Sequence, residues 1–277
     1  MLARRLVLHE RFVMLPRVAK VQAKDADYLL FCVDDFISRH LTYQGVWEEL
    51  FLEISKEMLS NYENPLVIDV GAHIGAFSIP IAKAINARGG RVISFEPQRI
   101  IYMQLCANTI LNRLENVYPH NIAICDFDQV VTIPELDYQT CVNASAFSME
   151  KRYRERHGIE GSVKEDVHEV PGIALDSFEV SGVVSLIKID VEGLEFKVIK
   201  GAKKFLARHE FPPILFESWG YEWFDEERCR LLELVESMGY QLTKLGHSEF
   251  LAQHPLHPTQ FVFEHVDQDS VRLKRAS

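Results

Sequence analysis

VIDVGAHIGAFS, residues 67–78, is the stretch that decides the fold. It continues the apolar run LVIDV (66–70), which is typical of a strand buried on both faces. Two glycines four positions apart follow, and residues 74–86 then have the apolar spacing of a helix. A strand that turns on glycine into a helix is typical of an open α/β sheet, in which ligands bind where the strands end.

The rest of the chain repeats this alternation of strand and helix patterns. RVISFEP (91–97), VVSLIKIDV (183–191) and PPILFES (212–218) predict further strands, each followed by a helical pattern. We therefore expect an α/β fold with a mostly parallel sheet and helices on both faces.

Two expectations concern the edges of this sheet. NVYPHNIAIC, residues 116–125, predicts a third strand that is distorted at Pro119. Residues 240–246 and 259–265 predict the last two strands, paired as a hairpin with residues 247–258 as its loop.

The chain divides into an extension and a main domain. Residues 1–62 are expected to form an N-terminal extension or cap, in which residues 46–62 have the pattern of an amphipathic helix. The first twenty residues predict a helix packed on the domain. Within the main domain, 63–277, residues 137–170 are polar and irregular, so we expect an insertion near the substrate site.

Composition limits the classes of protein. Hydrophobic residues make up 47% and charged residues 25%, as in soluble globular proteins. The net charge of −10 argues against nonspecific nucleic-acid binding. No stretch approaches the ~20 apolar residues of a membrane helix or shows a signal peptide. Five cysteines without a CxxC pair indicate reduced thiols, and we expect a cytoplasmic protein.

The first turn and the acid after the second strand indicate a nucleoside ligand. A carboxylate at Glu96 can accept hydrogen bonds from both ribose hydroxyls. Gly71 allows a tight turn, and Gly75 allows the helix to approach the ligand. The dinucleotide fingerprint needs another glycine where this chain has His73. The pattern therefore favours an adenosyl cofactor over a dinucleotide.

Several segments together resemble the FkbM family of S-adenosylmethionine-dependent methyltransferases. They are VIDVGAHIGAFS, ISFEP, the pair Asn108 and Asn112, IAICD, ALDSF and IKIDVEGLEFKVIKGA. The resemblance implies S-adenosylmethionine as cofactor and a class I Rossmann-like fold with seven strands in the main domain. The family usually has Asn at the position of His73, and we expect His73 to tune cofactor binding rather than abolish it.

The resemblance also implies roles for cofactor-binding residues. Asp69 would reach the methionine amino group, directly or through water. Gly71 and Gly75 would line the backbone beside the methionine and the sugar, and Glu96 would hold the ribose. Asp126, after the third strand, would meet the adenine amino group or serve only as a turn residue.

IKIDVEG, residues 187–193, is expected to carry the catalytic side chains. Lys188 and Asp190 are two apart on one strand and therefore share a face. Asp190 is the first candidate for the base that takes the acceptor's proton, and Lys188 would hold the acceptor oxygen or tune Asp190. Glu192 is either part of this site or a charge at a helix N-terminus. Glu48 matches a family position near the N-terminal edge of the site, but we favour an exposed helix acid there.

Three other features have competing interpretations. KRYRERH (151–157) either binds an anionic acceptor or, as we favour, forms a solvated helix face. FESWGYEWF (216–224) either walls an acceptor pocket or packs the core. His254 and His257 lie between prolines in a predicted loop, and we expect no metal site.

The sequence thus predicts an S-adenosylmethionine-dependent methyltransferase that acts on a hydroxyl of a sugar or specialised metabolite. The alternatives are N-methylation of an amide or amine in a peptide natural product and a non-catalytic adenosyl-binding protein. A nicotinamide dehydrogenase is disfavoured by His73 and by the absence of a Lys four residues after Tyr153. The acceptor is expected to be a small molecule, glycan or peptide. The oligomeric state stays open.

Overall fold

A computed structural model describes residues 15–31, 35–141, 143–265 and 271–274. Most of the segment predicted as the opening helix, and Cys32, lie outside these ranges.

Fourteen strands lie in the described part of the chain: β1 Val18–Gln22, β2 Asp27–Phe31, β3 Leu66–Val70, β4 Arg91–Phe95, β5 Val117–His120, β6 Ala123–Cys125, β7 Gln129–Leu136, β8 Val163–Ala174, β9 Val184–Ile189, β10 Ile214–Glu217, β11 Gln241–Lys244, β12 Glu249–Gln253, β13 Val262–His265 and β14 Val271–Lys274. The same ranges contain eight α-helices: α1 Phe36–Tyr43, α2 Glu49–Leu59, α3 Ser78–Asn86, α4 Arg99–Leu111, α5 Lys151–Arg156, α6 Glu195–Lys200, α7 Lys203–Arg208 and α8 Asp225–Ser237.

The main sheet has seven strands in the order β11-β12-β10-β9-β3-β4-β5. From β10 to β5 each strand is parallel to its neighbour, and β12 is antiparallel to both β10 and β11. When the seven strands of this sheet alone are numbered 1 to 7 in chain order, their order across the sheet from β5 to β11 is 3-2-1-4-5-7-6. The predicted mostly parallel α/β fold is confirmed. Strand order reverses between β3 and β9, which is where such sheets bind ligands.

Helices cover both faces of this sheet because its central strands are apolar on both sides. In β3, Leu66, Ile68 and Val70 pack in a cluster with buried residues of α6, α7 and α8. Val67 points to the opposite face and packs with α2 and α3. The β3 strand is therefore buried along its whole length, as its continuous apolar run predicts.

The predicted pairing at the two edges of the sheet is wrong. The third predicted strand is split, because β6 leaves the main sheet and pairs with β8. The predicted C-terminal loop contains β12, which lies between β10 and β11, while β13 pairs with β14. Phe250 and Leu251 of β12 are adjacent and both buried, so this strand has an apolar side chain for each face of the sheet.

Residues 137–170 are more regular than their polarity suggests. They contain α5 and the first part of β8, which forms a three-stranded sheet with β6 and β7. The first half of β8 is largely exposed. Because this half faces solvent, few of its residues are apolar. Its sequence therefore lacks the alternation of apolar and polar residues that marks a strand.

The N-terminal hairpin β1–β2 is attached to the main domain by a row of amides on α4. Gln104 donates to the carbonyl of Leu29 (2.7 Å), and Asn108 accepts from the Leu29 amide (2.7 Å). Asn112 accepts from the Asp27 amide (3.0 Å) and donates to its carbonyl (2.6 Å). These contacts give Asn108 and Asn112 a structural role. The division of the chain at residue 62 stays a prediction.

Candidate active site

A cavity of about 460 Å³ opens at the carboxyl ends of β3, β4, β9 and β10. Its volume is in the range of small-molecule sites. Its walls come from the segment before α2, the turns after these strands, and the segment around α5. They include Trp47, Glu48, Gly71, His73, Glu96, Ile122, Ile124, Tyr153, His157, Asp190, Glu192 and Glu217.

Glu96 lies at the end of β4 and is 3% exposed. One carboxylate oxygen accepts from the amide of His73 (2.9 Å) and the other from the amide of Gln98 (2.8 Å). Burial raises the pKa of Glu96 to about 7, although the two backbone amides oppose this shift. Each oxygen keeps a lone pair, so the carboxylate can still accept hydrogen bonds from two hydroxyls. Apolar side chains at Ile122 and Ile124 line the cavity on this side.

Gly71 and His73 shape the turn after β3. Gly71 has φ of 85°, and an added Cβ would lie 1.8 Å from the carbonyl oxygen of Asp190. Only glycine therefore lets this turn contact the turn after β9. His73 has φ of 48° and faces the cavity. Both its ring nitrogens are buried without a hydrogen-bond partner, and burial lowers the pKa of the ring.

Asp69, Gly75 and Asp126 lie outside the cavity walls. Asp69 is fully buried, and one of its oxygens accepts from the hydroxyl of Ser78 (2.5 Å), while Oδ1 has no partner. Gly75 is packed inside the fold, and its approach to a ligand stays a prediction. A Cβ at Gly75 would lie 2.8 Å from the side chain of Ile79, so this glycine allows close packing of α3.

Asp126 forms an ion pair with Lys200 of α6 (2.8 Å). The hydrogen bond from Lys200 lowers the pKa of Asp126. Asp126 thus lies outside the cavity walls, as Asp69 does, and its contact with the adenine amino group stays a prediction.

Lys188 and Asp190 form an ion pair at the end of β9, with 2.8 Å between Nζ and Oδ2. Burial alone would lower the pKa of Lys188, but the carboxylates of Asp190, Glu48 and Asp69 raise it, so the ammonium stays charged. Asp190 lines the main cavity, whereas Lys188 lines a smaller cavity of about 30 Å³ beside it. This placement favours tuning of Asp190 by Lys188 over direct contact of Lys188 with an acceptor.

Glu48 is a site residue that the sequence interpretation placed wrongly. It is partly buried and lines both cavities rather than an exposed helix face. The helix α2 begins only at Glu49, and Glu48 has φ of 48°, so its side chain leaves the exposed surface of the helix. Burial raises the pKa of Glu48 to about 7, while Lys188 opposes the shift.

Glu192 and Glu217 face the cavity from the turns after β9 and β10. Glu192 hydrogen-bonds to the side chain of Tyr153, but its Oε2 is buried without a partner. Glu217 accepts from the hydroxyl of Ser248 (3.1 Å) and the indole of Trp219 (3.2 Å). Burial, and then the other carboxylates, raise the pKa of both acids well above the usual range.

Glu217 was missed by sequence analysis. Its signal was an acid at the carboxyl end of a predicted strand, which is the same signal that identified Glu96.

The basic segment 151–157 forms α5 and the residue after it, and it packs against the aromatic segment 216–224. Tyr153 stacks on Trp219 with ring centroids 3.9 Å apart, and His157 stacks on Tyr153 at 4.1 Å. Both Tyr153 and His157 line the cavity, so this cluster is packed and also forms a wall.

The four basic side chains of α5 point elsewhere: Lys151, Arg152, Arg154 and Arg156 are absent from the cavity walls. Arg154 forms an ion pair with Glu160 (2.7 Å). Arg152 and Arg156 lie over the rings of Trp223 and Tyr221. The geometry therefore gives no support to binding of an anionic acceptor by this segment.

Several other expectations concern the rest of the described chain. His254 stacks on Phe211 at 4.1 Å, and His257 contacts the carbonyl of Thr259, in keeping with a structural loop. No group of three or more His, Cys, Asp or Glu in the described ranges could hold a metal ion. None of the helices described is both long and apolar enough to cross a membrane. Four cysteines are free: Cys106, Cys125, Cys141 and Cys229.

Residues 69–242 match the family described as the methyltransferase FkbM domain. The chain belongs to the FkbM methyltransferase family. The predicted class of S-adenosylmethionine-dependent methyltransferase is thereby confirmed, as are the enzyme activity and the cofactor.

Relatives of this FkbM methyltransferase include "Methyltransferase sdnD" of Sordaria araneosa, 24% identical over 229 residues, or 73% of this chain and 83% of the relative. An aminocarboxypropyltransferase that acts on tRNA(Phe) in Methanocaldococcus jannaschii is 40% identical over 76 residues, or 27% of this chain and 29% of that protein. A crystal structure of a methyltransferase FkbM from Methylobacillus flagellatus is 17% identical, with a TM-score of 0.45. The match covers 69% of this chain and 44% of that one.

The residues of the cavity fit the cofactor of this family. Glu96 has acceptor sites left for a ribose, and the neighbouring apolar wall suits an adenine ring. The unpartnered ring nitrogens of His73 face the same space and need a polar group.

Proposed function

We propose that this FkbM methyltransferase methylates a hydroxyl oxygen of a sugar or specialised metabolite, with Asp190 as the base. The observation that carries the proposal is the geometry of Asp190. Its carboxylate lines the cavity, one oxygen is held by Lys188, and its side chain is 26% exposed toward the cavity side. A base that removes a hydroxyl proton needs this combination of fixed orientation and access.

We propose that Glu96 binds the ribose, while the turn at Gly71 and His73 contacts the methionine part of the cofactor. Asp69 lies behind this turn, so we expect it to reach the methionine amino group through water. When bound, S-adenosylmethionine would supply a methyl group on a positively charged sulfur. The cavity walls would position the acceptor beside the cofactor, and such positioning is where most of the rate enhancement of a group transfer arises.

Lys188 would orient Asp190 by holding one of its carboxylate oxygens. Asp190 would take the proton of the acceptor hydroxyl as its oxygen receives the methyl group that the cofactor would supply. We further propose that residues 143–157 face the acceptor, since Phe147, Met149, Tyr153 and His157 line the cavity beside Glu192. A cytoplasmic location stays a prediction.

Calorimetric titration of the purified chain with S-adenosylhomocysteine tests the cofactor site, with NAD as the control. We expect micromolar binding of the first compound and no binding of NAD. Transfer of tritiated methyl groups to panels of alcohols, amines and amides then tests the acceptor atom. Product with amides or amines but with no alcohol would replace O-methylation by N-methylation. Binding of NAD alone would contradict the proposal altogether.

A further inference from the structure

The polarity of the cavity walls changes along the edge of the sheet. At the β4 and β5 end its walls are largely apolar around Glu96 and Gln98. At the β9 and β10 end three glutamates, Glu48, Glu192 and Glu217, surround Asp190. No Lys or Arg is among the cavity-lining residues in the described part of the chain. The β9 and β10 end is therefore an acidic site whose described walls hold no lysine or arginine, and burial lowers the pKa of the wall residue His157.

Lys188 offsets only part of this acidity, since the carboxylates that act on its ammonium are those of Asp190, Glu48 and Asp69. Its ammonium is paired with Asp190 and lies on the side of the smaller cavity. Glu192 has in addition a buried oxygen with no hydrogen-bond partner. A carboxylate oxygen buried in this way is costly unless a donor meets it. The missing donor is expected to belong to a bound molecule.

The cofactor alone does not account for a hydrogen-bond donor at this acidic end of the cavity. Glu217 ends β10, which is two strands away from β3, where the cofactor turn lies. Neighbouring strands are about 4.8 Å apart, so the two strand ends are separated by about 10 Å. Glu217 thus lies on the side of the cavity that remains for the acceptor, and Glu192, in the turn after β9, lies on the same side of β3.

We propose that the acceptor carries a protonated amine near the hydroxyl that is methylated, and that Glu192 and Glu217 bind this ammonium group. The acceptor would then be an amino sugar or an amino alcohol. This inference rests on the proposed function and specifies its substrate class. The ammonium would donate to Oε2 of Glu192, and the aromatic ring of Tyr153 lies against the same space.

The chemistry of the step agrees with this assignment. An ammonium held between carboxylates has no free electron pair, so its nitrogen cannot attack a methyl group. The neighbouring hydroxyl oxygen forms the bond to carbon, its proton passes to Asp190, and the electron pair of the broken bond stays on sulfur. Recognition of nitrogen and methylation of oxygen are therefore compatible in one site.

Titration of enzyme saturated with S-adenosylhomocysteine tests the proposal with three small probes of the same shape: benzylamine, benzyl alcohol and benzoate. Binding is followed by ligand-observed NMR at pH 7.5. A charge-assisted hydrogen bond predicts that benzylamine binds roughly tenfold or more tightly than benzyl alcohol, and that benzoate binds least. Glu192→Gln and Glu217→Gln should each reduce the preference for the amine several-fold.

Glu135→Gln is the matched control, because Glu135 is a partly buried acid outside the cavity. It should leave the preference for benzylamine unchanged. Affinity for S-adenosylhomocysteine shows that each variant is folded. Equal binding of amine and alcohol, no binding of benzylamine, or a preference that survives both site variants would overturn the amine assignment alone. Failure of the wild-type enzyme to bind S-adenosylhomocysteine would overturn the proposed function with it.

Discussion

The two ends of the cavity differ in how their buried carboxylates are hydrogen-bonded. At the end that we propose binds the nucleoside, called the nucleoside end, each carboxylate oxygen of Glu96 accepts from a backbone amide at 2.8–2.9 Å. At the end that we propose binds the acceptor, called the acceptor end, Glu192 has a buried oxygen without a partner, and Glu217 is close enough to raise its pKa. A carboxylate that the backbone already hydrogen-bonds is held in one orientation, which suits a ligand that is the same in every catalytic cycle. A site with unsatisfied groups must be completed by its substrate.

This difference predicts that mutations at the two ends of the cavity affect different quantities. Residues at the nucleoside end should change the affinity for the cofactor, and residues at the acceptor end should change turnover. Four variants or measurements test this division, in decreasing order of expected effect.

Asp190→Asn should have the largest effect. Loss of a general base lowers turnover by about 10²–10⁴-fold. The affinity for S-adenosylhomocysteine should stay within about threefold of wild type, because Asn keeps the shape of the side chain beside Lys188. Steady-state methyl transfer and calorimetry measure the two quantities. Wild-type turnover in this variant would remove Asp190 from the role of base.

Glu96→Ala should show the reverse pattern. Loss of a carboxylate that binds two ribose hydroxyls weakens the affinity for S-adenosylhomocysteine by roughly 10–100-fold. Turnover at saturating cofactor should fall much less than in Asp190→Asn. Calorimetric titration provides the dissociation constant, and an unchanged affinity would refute the ribose-binding role.

The stability of the protein should depend on pH through these buried acids. The folded-state pKa of Glu96 is raised to about 7 from an ordinary value of 4.5, so the folded state binds this proton more tightly than the unfolded state. The free energy of unfolding should therefore fall as pH rises from about 4.5 to about 7, by about 1–3 kcal/mol for this group, and then level off.

Urea unfolding at pH 5, 6, 7 and 8 measures this slope. Glu96→Gln should reduce it, and Glu192→Gln or Glu217→Gln should reduce it more, because burial and the neighbouring carboxylates raise the pKa of these two acids well above the usual range. If the free energy of unfolding had the same dependence on pH in wild type and all three variants, these acids would not have the raised folded-state pKa values on which the prediction rests.

Asp126→Asn should have the smallest effect. Because its carboxylate is paired with Lys200 outside the cavity, the affinity for S-adenosylhomocysteine should change by less than about twofold. The same calorimetric titration used for Glu96→Ala provides the measurement. A loss of tenfold or more would restore the contact with adenine that the family resemblance implies and would extend the nucleoside end toward α6.

The parts of the fold that were predictable from sequence are those with strong local signals. The β3 strand is recognisable because all five residues are buried and its pattern is continuous. The β8 strand was not recognised, because its exposed first half lacks apolar alternation. The position of β12 between β10 and β11 was also missed, because a short strand does not specify its neighbours without the rest of the sheet.

For the site, the sequence by itself determined the nucleoside end. Glu96 and its two amide donors lie within two short segments, 71–75 and 96–98, and their contacts follow from a strand, a tight turn and a helix. Only the tertiary structure decided the acceptor end, where Glu48, Tyr153, Glu192 and Glu217 come from four distant parts of the chain. The physical reason is that burial, and the repulsion between carboxylates that accompanies it, exist only once those parts are packed together.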